Sequence, residues 1–129
     1  MFEVAVEKMF SSAHALRDYH GRTEPIHGHN YRIRVLLQGE NLDGAGLLVD
    51  FLEIDDLVKD VVMRYDHLYL NEAAPFDTLN PSAENMAKYF HDRIAARLAA
   101  VPRENAVRVA EVTVWETPEM RATYRSNYQ

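Results

Sequence analysis

His27, Gly28 and His29 form a His-x-His step, and His14 stands thirteen residues before it. Strand side chains alternate faces with period two, so the two histidines of the step point to one side of a strand. Gly28 keeps the opposite side clear. A third imidazole from a neighbouring strand would complete a three-nitrogen set around a metal whose fourth position stays open, the arrangement of catalytic rather than structural zinc. Clustering favours a site: His14, His20, His27 and His29 are four of the six histidines. The chain has no cysteine, so its ligands must be nitrogen and oxygen, and neutral imidazole suits zinc first, then iron or copper.

These side chains converge only if the elements that carry them meet. Phe2, Val4, Val6, Phe10 and His14 share one parity, with Glu3 and Glu7 on the other, which predicts a long strand ending at His14. The polar stretch 16–26, with Gly21 and Pro25, reads as a loop. A second strand is expected from His27 to about Gly39, with Tyr31, Ile33, Val35 and Leu37 continuing the face of His27 and His29. In an antiparallel hairpin the end of the first strand lies beside the start of the second, so the topology itself brings the three imidazoles together.

The rest of the chain supplies the supports. Residues 41–46 read as a turn, and Ile54, Leu57, Val58, Val61, Val62 and Tyr65 recur at helical spacing, predicting a helix over 53–65. Asp66 to Asn71 breaks it, and 72–80 is a connecting loop. A second helix starts near Pro81, with Asn80 or Ser82 as its cap, carries the stripe Met86, Phe90, Ile94 and Leu98, and stops before Pro102. Alternation over 107–116 and 120–125 gives two more strands joined by a turn at 117–119. The order β-β-α-α-β-β is an α+β fold: an antiparallel sheet with two helices on one face. Such a sheet has open edges, and self-association through them predicts a symmetric homo-oligomer.

Composition bounds the function. A length of 129 residues predicts a single domain over 1–129, and 47% hydrophobic residues suffice for a core. A net charge of −6, with arginines scattered singly, excludes a nucleic-acid backbone binder and leaves room for one small anionic ligand. No apolar run approaches the roughly 20 residues of a membrane span, and no signal peptide is read, so the expectation is a cytoplasmic protein with no membrane partner.

Six short motifs then fall into register. Phe10-Ser-Ser-Ala-His14, His27-Gly-His-Asn-Tyr31, Asp50-Phe51, Asp66-His-Leu-Tyr-Leu-Asn71, Pro81-Ser-Ala-Glu-Asn85 and Trp115-Glu-Thr117 occur in the order and spacing of the 6-pyruvoyl-tetrahydropterin synthase and 6-carboxy-tetrahydropterin synthase family. The chain resembles that family over nearly its whole length. The resemblance implies the tunnelling fold, in which trimers close a barrel, two trimers stack into a hexamer, and active sites lie between subunits. It implies zinc held by His14, His27 and His29, and 7,8-dihydroneopterin triphosphate as substrate. It further implies that Glu116 grips the pterin's guanidine-like edge through two hydrogen bonds, that Ser82 and Ala83 present backbone groups to the pterin at a helix start, and that Asp66 and His67 form a proton relay.

One departure bears on the reaction. The family's best-known members carry a catalytic cysteine shortly before His-Gly-His, and here that stretch reads Gly21-Arg-Thr-Glu-Pro-Ile-His27. Glu24 is the group there, besides His20, that could take a proton. Glu-x-x-His-Gly-His resembles a subgroup in which glutamate replaces the cysteine and the product is 6-hydroxymethyl-7,8-dihydropterin, a folate precursor. A carboxylate near zinc can deprotonate a side-chain hydroxyl and start a retro-aldol cleavage. The expectation is therefore a zinc-dependent lyase with Glu24 as base. The alternatives are 6-carboxy-5,6,7,8-tetrahydropterin synthase of the queuosine route, a 6-pyruvoyl-tetrahydropterin synthase, and a non-catalytic pterin- or metal-binding homologue.

Overall fold

The computed structural model describes residues 1–126. Four strands, β1 (Phe2–His14), β2 (His27–Gly39), β3 (Arg108–Thr117) and β4 (Met120–Arg125), form one antiparallel sheet in the order β1-β2-β3-β4. Helices α1 (Phe51–Val62) and α2 (Ala83–Ala99) lie between the two hairpins in sequence. The alternation expected for β1 and β2 holds, and their register runs without a slip from Phe2↔Gly39 to His14↔His27. Tyr31, Ile33, Val35 and Leu37 of β2 are fully buried and meet Val112 and Val114 of β3 in one core with Ile54, Val58, Val62, Met86, Phe90 and Ile94 of the helices. These helical positions recur every four residues, which is why each helix has a single apolar stripe facing the sheet.

Helix boundaries differ from expectation for local reasons. α1 starts at Phe51 rather than 53 because Asp50 caps it, accepting the Leu52 N–H at 2.9 Å. Its end tightens into a 3-10 turn over Met63–Tyr65 before Asp66 leaves in extended conformation. The cap of α2 is Ser82, whose hydroxyl accepts the Asn85 N–H at 3.1 Å. Pro81 thus lies just outside the helix, and Asn80 is released for another task described below.

β1 forms an edge of the sheet, and near His14 that edge is covered. Ser11 N–H donates to Asp66 Oδ1 at 2.9 Å, His67 N–H to Ser11 O at 2.6 Å, and Ala13 N–H to Leu68 O at 2.9 Å. The Ser12 hydroxyl donates to the Tyr65 carbonyl and accepts the Leu68 N–H. His67 adopts a left-handed φ of +58°, uncommon for a residue with a Cβ, and this turn lets both its flanks bond to β1. Among the described residues no helix is long and apolar enough to cross a membrane.

Candidate metal centre

The β1–β2 register sets His14 opposite His27 and Ser12 opposite His29. β3 pairs with β2 only from Arg32 onward, so the hairpin end carrying the histidines projects past the rest of the sheet. One ring nitrogen from each of His14, His27 and His29 lies within 4.8 Å of the other two, and the ring centroids are 4.6, 5.2 and 4.9 Å apart. The trio expected from spacing and hairpin topology is assembled.

Hydrogen bonding selects which nitrogen each ring offers. His14 Nδ1–H donates to the Pro81 carbonyl at 2.7 Å, and His27 Nδ1–H donates to the Pro25 carbonyl at 3.0 Å. With both Nδ1 atoms committed as donors, the two Nε2 atoms carry lone pairs, and they face each other at 3.0 Å. Two lone pairs at that distance repel unless a positive centre sits between them. His29 Nε2 is buried and has no hydrogen-bond partner. An orphaned imidazole nitrogen beside two converging lone pairs is the donor set a divalent cation needs; bonds of about 2.0–2.1 Å at tetrahedral angles would bring such nitrogens to roughly 3.3 Å apart. The residues present fit a metal. Burial holds the His29 imidazole below its ordinary value, and the neighbouring His14 and His27 rings push the same way, against the pull of Glu116. A histidine kept neutral is the form that ligates.

Two acids flank the trio. Glu24, near the end of the 16–26 loop, places Oε1 3.8 Å from His27 Nε2. Its position is fixed twice against Leu16: Oε1 accepts the Leu16 N–H at 2.9 Å, and the Glu24 N–H donates to Leu16 O at 3.0 Å. Its side chain is only 16% exposed, so a loop acid that could have been solvated is instead aimed inward. Glu116 places Oε2 3.7 Å from His29 Nε2. The β3–β4 register slips by one between Trp115 and Thr117, and an irregularity of this kind re-aims the side chain it carries. Glu116, Ala83, Glu84, Arg121 and Ala122 border a cleft of about 170 Å³. Ala83 and Glu84 begin α2, where first-turn N–H groups have no helical acceptor. That volume is below the roughly 300 Å³ at which ligand pockets begin.

Asp66 and His67 are bonded to each other, His67 Nδ1 lying 2.8 Å from Asp66 Oδ2, and to the outer edge of β1. The Ser11 N–H, then His67, hold the Asp66 carboxyl below its usual range. The His67 side chain is 82% exposed. Among the described residues no hydrogen bond or ion pair joins this dyad to Glu24, Glu116 or the trio. His20 is exposed and packs against the Tyr19 ring at 4.4 Å.

Other contributors had no site role read for them from the sequence, although Tyr31, Asn71 and Pro81 stand in the motifs. Pro25 and Pro81 act through their carbonyls, which any residue type possesses. Asn71 brackets Ala15, accepting its N–H at 2.9 Å and donating to its carbonyl at 2.7 Å. Asn80 does the same for Arg17 at 2.8 and 3.0 Å. Both amides imitate a pairing strand and hold the segment that leaves His14. Tyr31 lies behind the trio, 5.8 Å from the His14 ring and 5.4 Å from the His29 ring. Burial first, and Glu116 and Glu24 after it, push its phenol well above the usual range.

Comparison with known proteins bears on this geometry. The family model described as 6-pyruvoyl tetrahydropterin synthase matches residues 3–127. The chain is similar to the 6-carboxy-5,6,7,8-tetrahydropterin synthase of Bacillus subtilis, 33% identical over 96% of this chain and 85% of the relative. It is similar as well to the dihydroneopterin monophosphate aldolase of Pyrococcus furiosus, 31% identical over 85% of both chains. Among solved structures, Caenorhabditis elegans 6-pyruvoyl tetrahydropterin synthase superposes with a TM-score of 0.75 at 26% identity, covering 98% of each chain.

Proposed function

Because this chain belongs to the 6-pyruvoyl tetrahydropterin synthase family, we propose that it is a zinc-dependent lyase acting on the side chain of 7,8-dihydroneopterin triphosphate and releasing 6-hydroxymethyl-7,8-dihydropterin. The observation that carries this reading is the Glu24 carboxylate, shielded and 3.8 Å from His27 Nε2, where the family's better-known members have a thiol. His14, His27 and His29 hold the zinc, which when bound supplies Lewis acidity to the substrate's side-chain hydroxyls.

Glu24 takes the proton from the hydroxyl on the second side-chain carbon. The bond between the first and second carbons breaks, that oxygen becomes an aldehyde carbonyl, and the phosphorylated fragment leaves. The electron pair left on the first carbon delocalises into the pterin ring and is quenched by a proton from His67, which Asp66 orients. Glu116 pairs with the guanidine-like edge of the pterin through two hydrogen bonds, the complement a carboxylate offers. The Ala83 N–H at the start of α2 completes the grip, the Ser82 N–H being already given to the Asn80 carbonyl at 2.8 Å.

The small cleft at Glu116 and the outward-facing Asp66–His67 dyad support a homo-oligomer, a hexamer of two trimers, in which one copy's dyad serves a neighbour's histidines. The Pyrococcus furiosus relative's name as an aldolase favours carbon–carbon cleavage, which a carboxylate base can start. The Bacillus subtilis relative's name favours a second reading, 6-carboxy-5,6,7,8-tetrahydropterin synthase, whose carbon-proton transfers suit a thiol better than Glu24.

The test is mass spectrometry of the products formed by the zinc-loaded protein from dihydroneopterin triphosphate and, in parallel, the monophosphate. The expected product is 6-hydroxymethyl-7,8-dihydropterin, and Glu24→Gln is expected to slow its formation by about 10²–10⁴-fold, the usual worth of a positioned base. A 6-carboxy product, or a Glu24→Gln variant as fast as the parent, rejects the proposal.

A further inference from the structure

The sheet face turned away from the helices gathers arginines that are scattered in the sequence. Arg32, Trp115 and Arg121 are successive cross-strand partners on β2, β3 and β4. The guanidinium carbons of Arg32, Arg34 and Arg121 lie 3.9, 5.0 and 5.7 Å from the centroid of the Trp115 ring. Among the described residues Glu7 is the one carboxylate that pairs with any of them, 3.0 Å from Arg34 and 3.7 Å from Arg32. Arg121 is exposed and makes no ion pair or hydrogen bond among the described residues. Two guanidinium groups therefore share one carboxylate and the third has none among the described residues, in a chain whose net charge is −6.

Packing on Trp115 accounts for where these arginines sit, but Glu7 answers only part of their charge. Trp115 is 5% exposed, and all three guanidinium groups lie within cation–π reach of its ring, Arg32 nearest. Like charges on adjacent strands repel one another, so the positive charge left over after Glu7 raises the free energy of this face unless a further anion answers it. Their planar forks, held over a rigid indole floor, match oxyanions bidentately. On β2 these arginines have the opposite parity to His27 and His29, which puts the cluster on the far side of the sheet from the metal centre.

We propose that Arg32, Arg34 and Arg121 around Trp115 form a binding platform for a small polyanion with adjacent phosphate groups, of the pyrophosphate or tripolyphosphate class. This inference stands independently of the lyase reading. Arg121 also borders the Glu116 cleft. The phosphates thus have two sources with the same chemistry, a free polyphosphate or the tail of a bound pterin.

Trp115 is the only tryptophan of the chain, so its emission reports on the platform alone. Inorganic tripolyphosphate titrated into the protein at low salt should change that emission saturably, and calorimetry should give the same midpoint. Arg34→Ala and Arg121→Ala should each weaken binding by roughly tenfold, the worth of a lost charge-assisted contact. Arg121→Lys should fall between, with an unchanged far-UV spectrum, and Glu7→Gln, which removes the one competing carboxylate, should tighten binding several-fold. Competition of tripolyphosphate against turnover of dihydroneopterin triphosphate assigns the platform to the substrate's tail, and binding without competition assigns it to a free polyphosphate. An unsaturable response, binding indifferent to both arginine-to-alanine changes, or binding that is lost in His14→Ala yet kept in Arg121→Ala overturns the proposal.

Discussion

Replacing Asn71 with alanine tests whether a single amide outside the candidate site holds its first ligand in place. Ala15, the residue after His14, is fully buried, and both of its backbone polar groups are bonded to the Asn71 side chain, at 2.9 and 2.7 Å. Truncation strands a buried N–H and a buried C=O together. Each unsatisfied group costs about 1–3 kcal/mol, and partial entry of water trims the total, so the expected loss is about 3 kcal/mol. With an m-value near 2 kcal/mol/M for a chain of this size, the urea midpoint should drop by about 1.5 M at unchanged slope. The melts belong in metal-free buffer first, because a ligand that binds only the native state masks the loss. Repeated with zinc, the same variant should show weaker metal affinity, since His14 has lost its anchor on one side. A stability loss below about 1 kcal/mol would mean that Ala15 finds other partners, and the account of Asn71 as a mimic of a pairing strand would be wrong.

Three further outcomes follow from particular contacts. Free zinc at a hundred times its dissociation constant should stabilise the parent by about 2.7 kcal/mol in thermal melts and leave His29→Ala unmoved; equal responses would place the metal elsewhere. Gly39→Ala puts a methyl 2.5 Å from Leu48 Cδ1 and 2.6 Å from the Ala106 carbonyl, whereas at Gly28 the nearest atom is Ser12 O at 3.6 Å. The first should cost about 1–3 kcal/mol and the second well under that, and a reversed order in urea melts would contradict the packing described. Asp66, whose pKa is depressed by the Ser11 N–H and then by His67, contributes stability that is full above its unfolded value, near pH 3.9, and is lost as pH falls through the lower folded value. Asp66→Asn should therefore lose less stability than the parent between pH 5 and pH 2.5; parallel acid limbs for the two proteins would refute the assignment.

Much of this was legible in the chain itself because strands write their geometry with period two. The parity of His14, and of His27 and His29 with Tyr31, Ile33, Val35 and Leu37, implied a shared face, and the hairpin supplied the meeting point. The helices were legible from their stripes, but not their ends: the start of α1 depended on Asp50 acting as a cap, and the choice between Asn80 and Ser82 depended on which of them the Arg17 backbone claimed. The aim of Glu116 was not legible, because it rests on a one-residue slip in register that the alternation of Val107 to Glu116 conceals. The arginine platform was hidden for the same reason. Arg32 and Arg121 are far apart in sequence and become neighbours of Trp115 only once two strand registers are fixed.

Residue type is the lesser part of what fits the trio to hold a metal. Three histidines on one face could equally form a stack of mutually bonded rings, each Nε2–H donating to the next nitrogen. The carbonyls of Pro25 and Pro81 work against that in the neutral rings, because each takes the Nδ1–H of its histidine and leaves a lone pair on Nε2 as the inward-facing atom. Among the described residues neither carbonyl accepts a second hydrogen bond: Pro81 lies outside α2, and Pro25 lies in a loop before β2. Backbone acceptors placed by two rigid residues thus set the tautomers of the neutral rings, which then face each other through two lone pairs. A fold that holds two such nitrogens 3.0 Å apart, with a third buried and unpaired beside them, is under electrostatic stress that a cation relieves directly. Glu24 and Glu116, held at 3.8 and 3.7 Å from His27 and His29, lie beside that nitrogen set and bring two carboxylates to its rim.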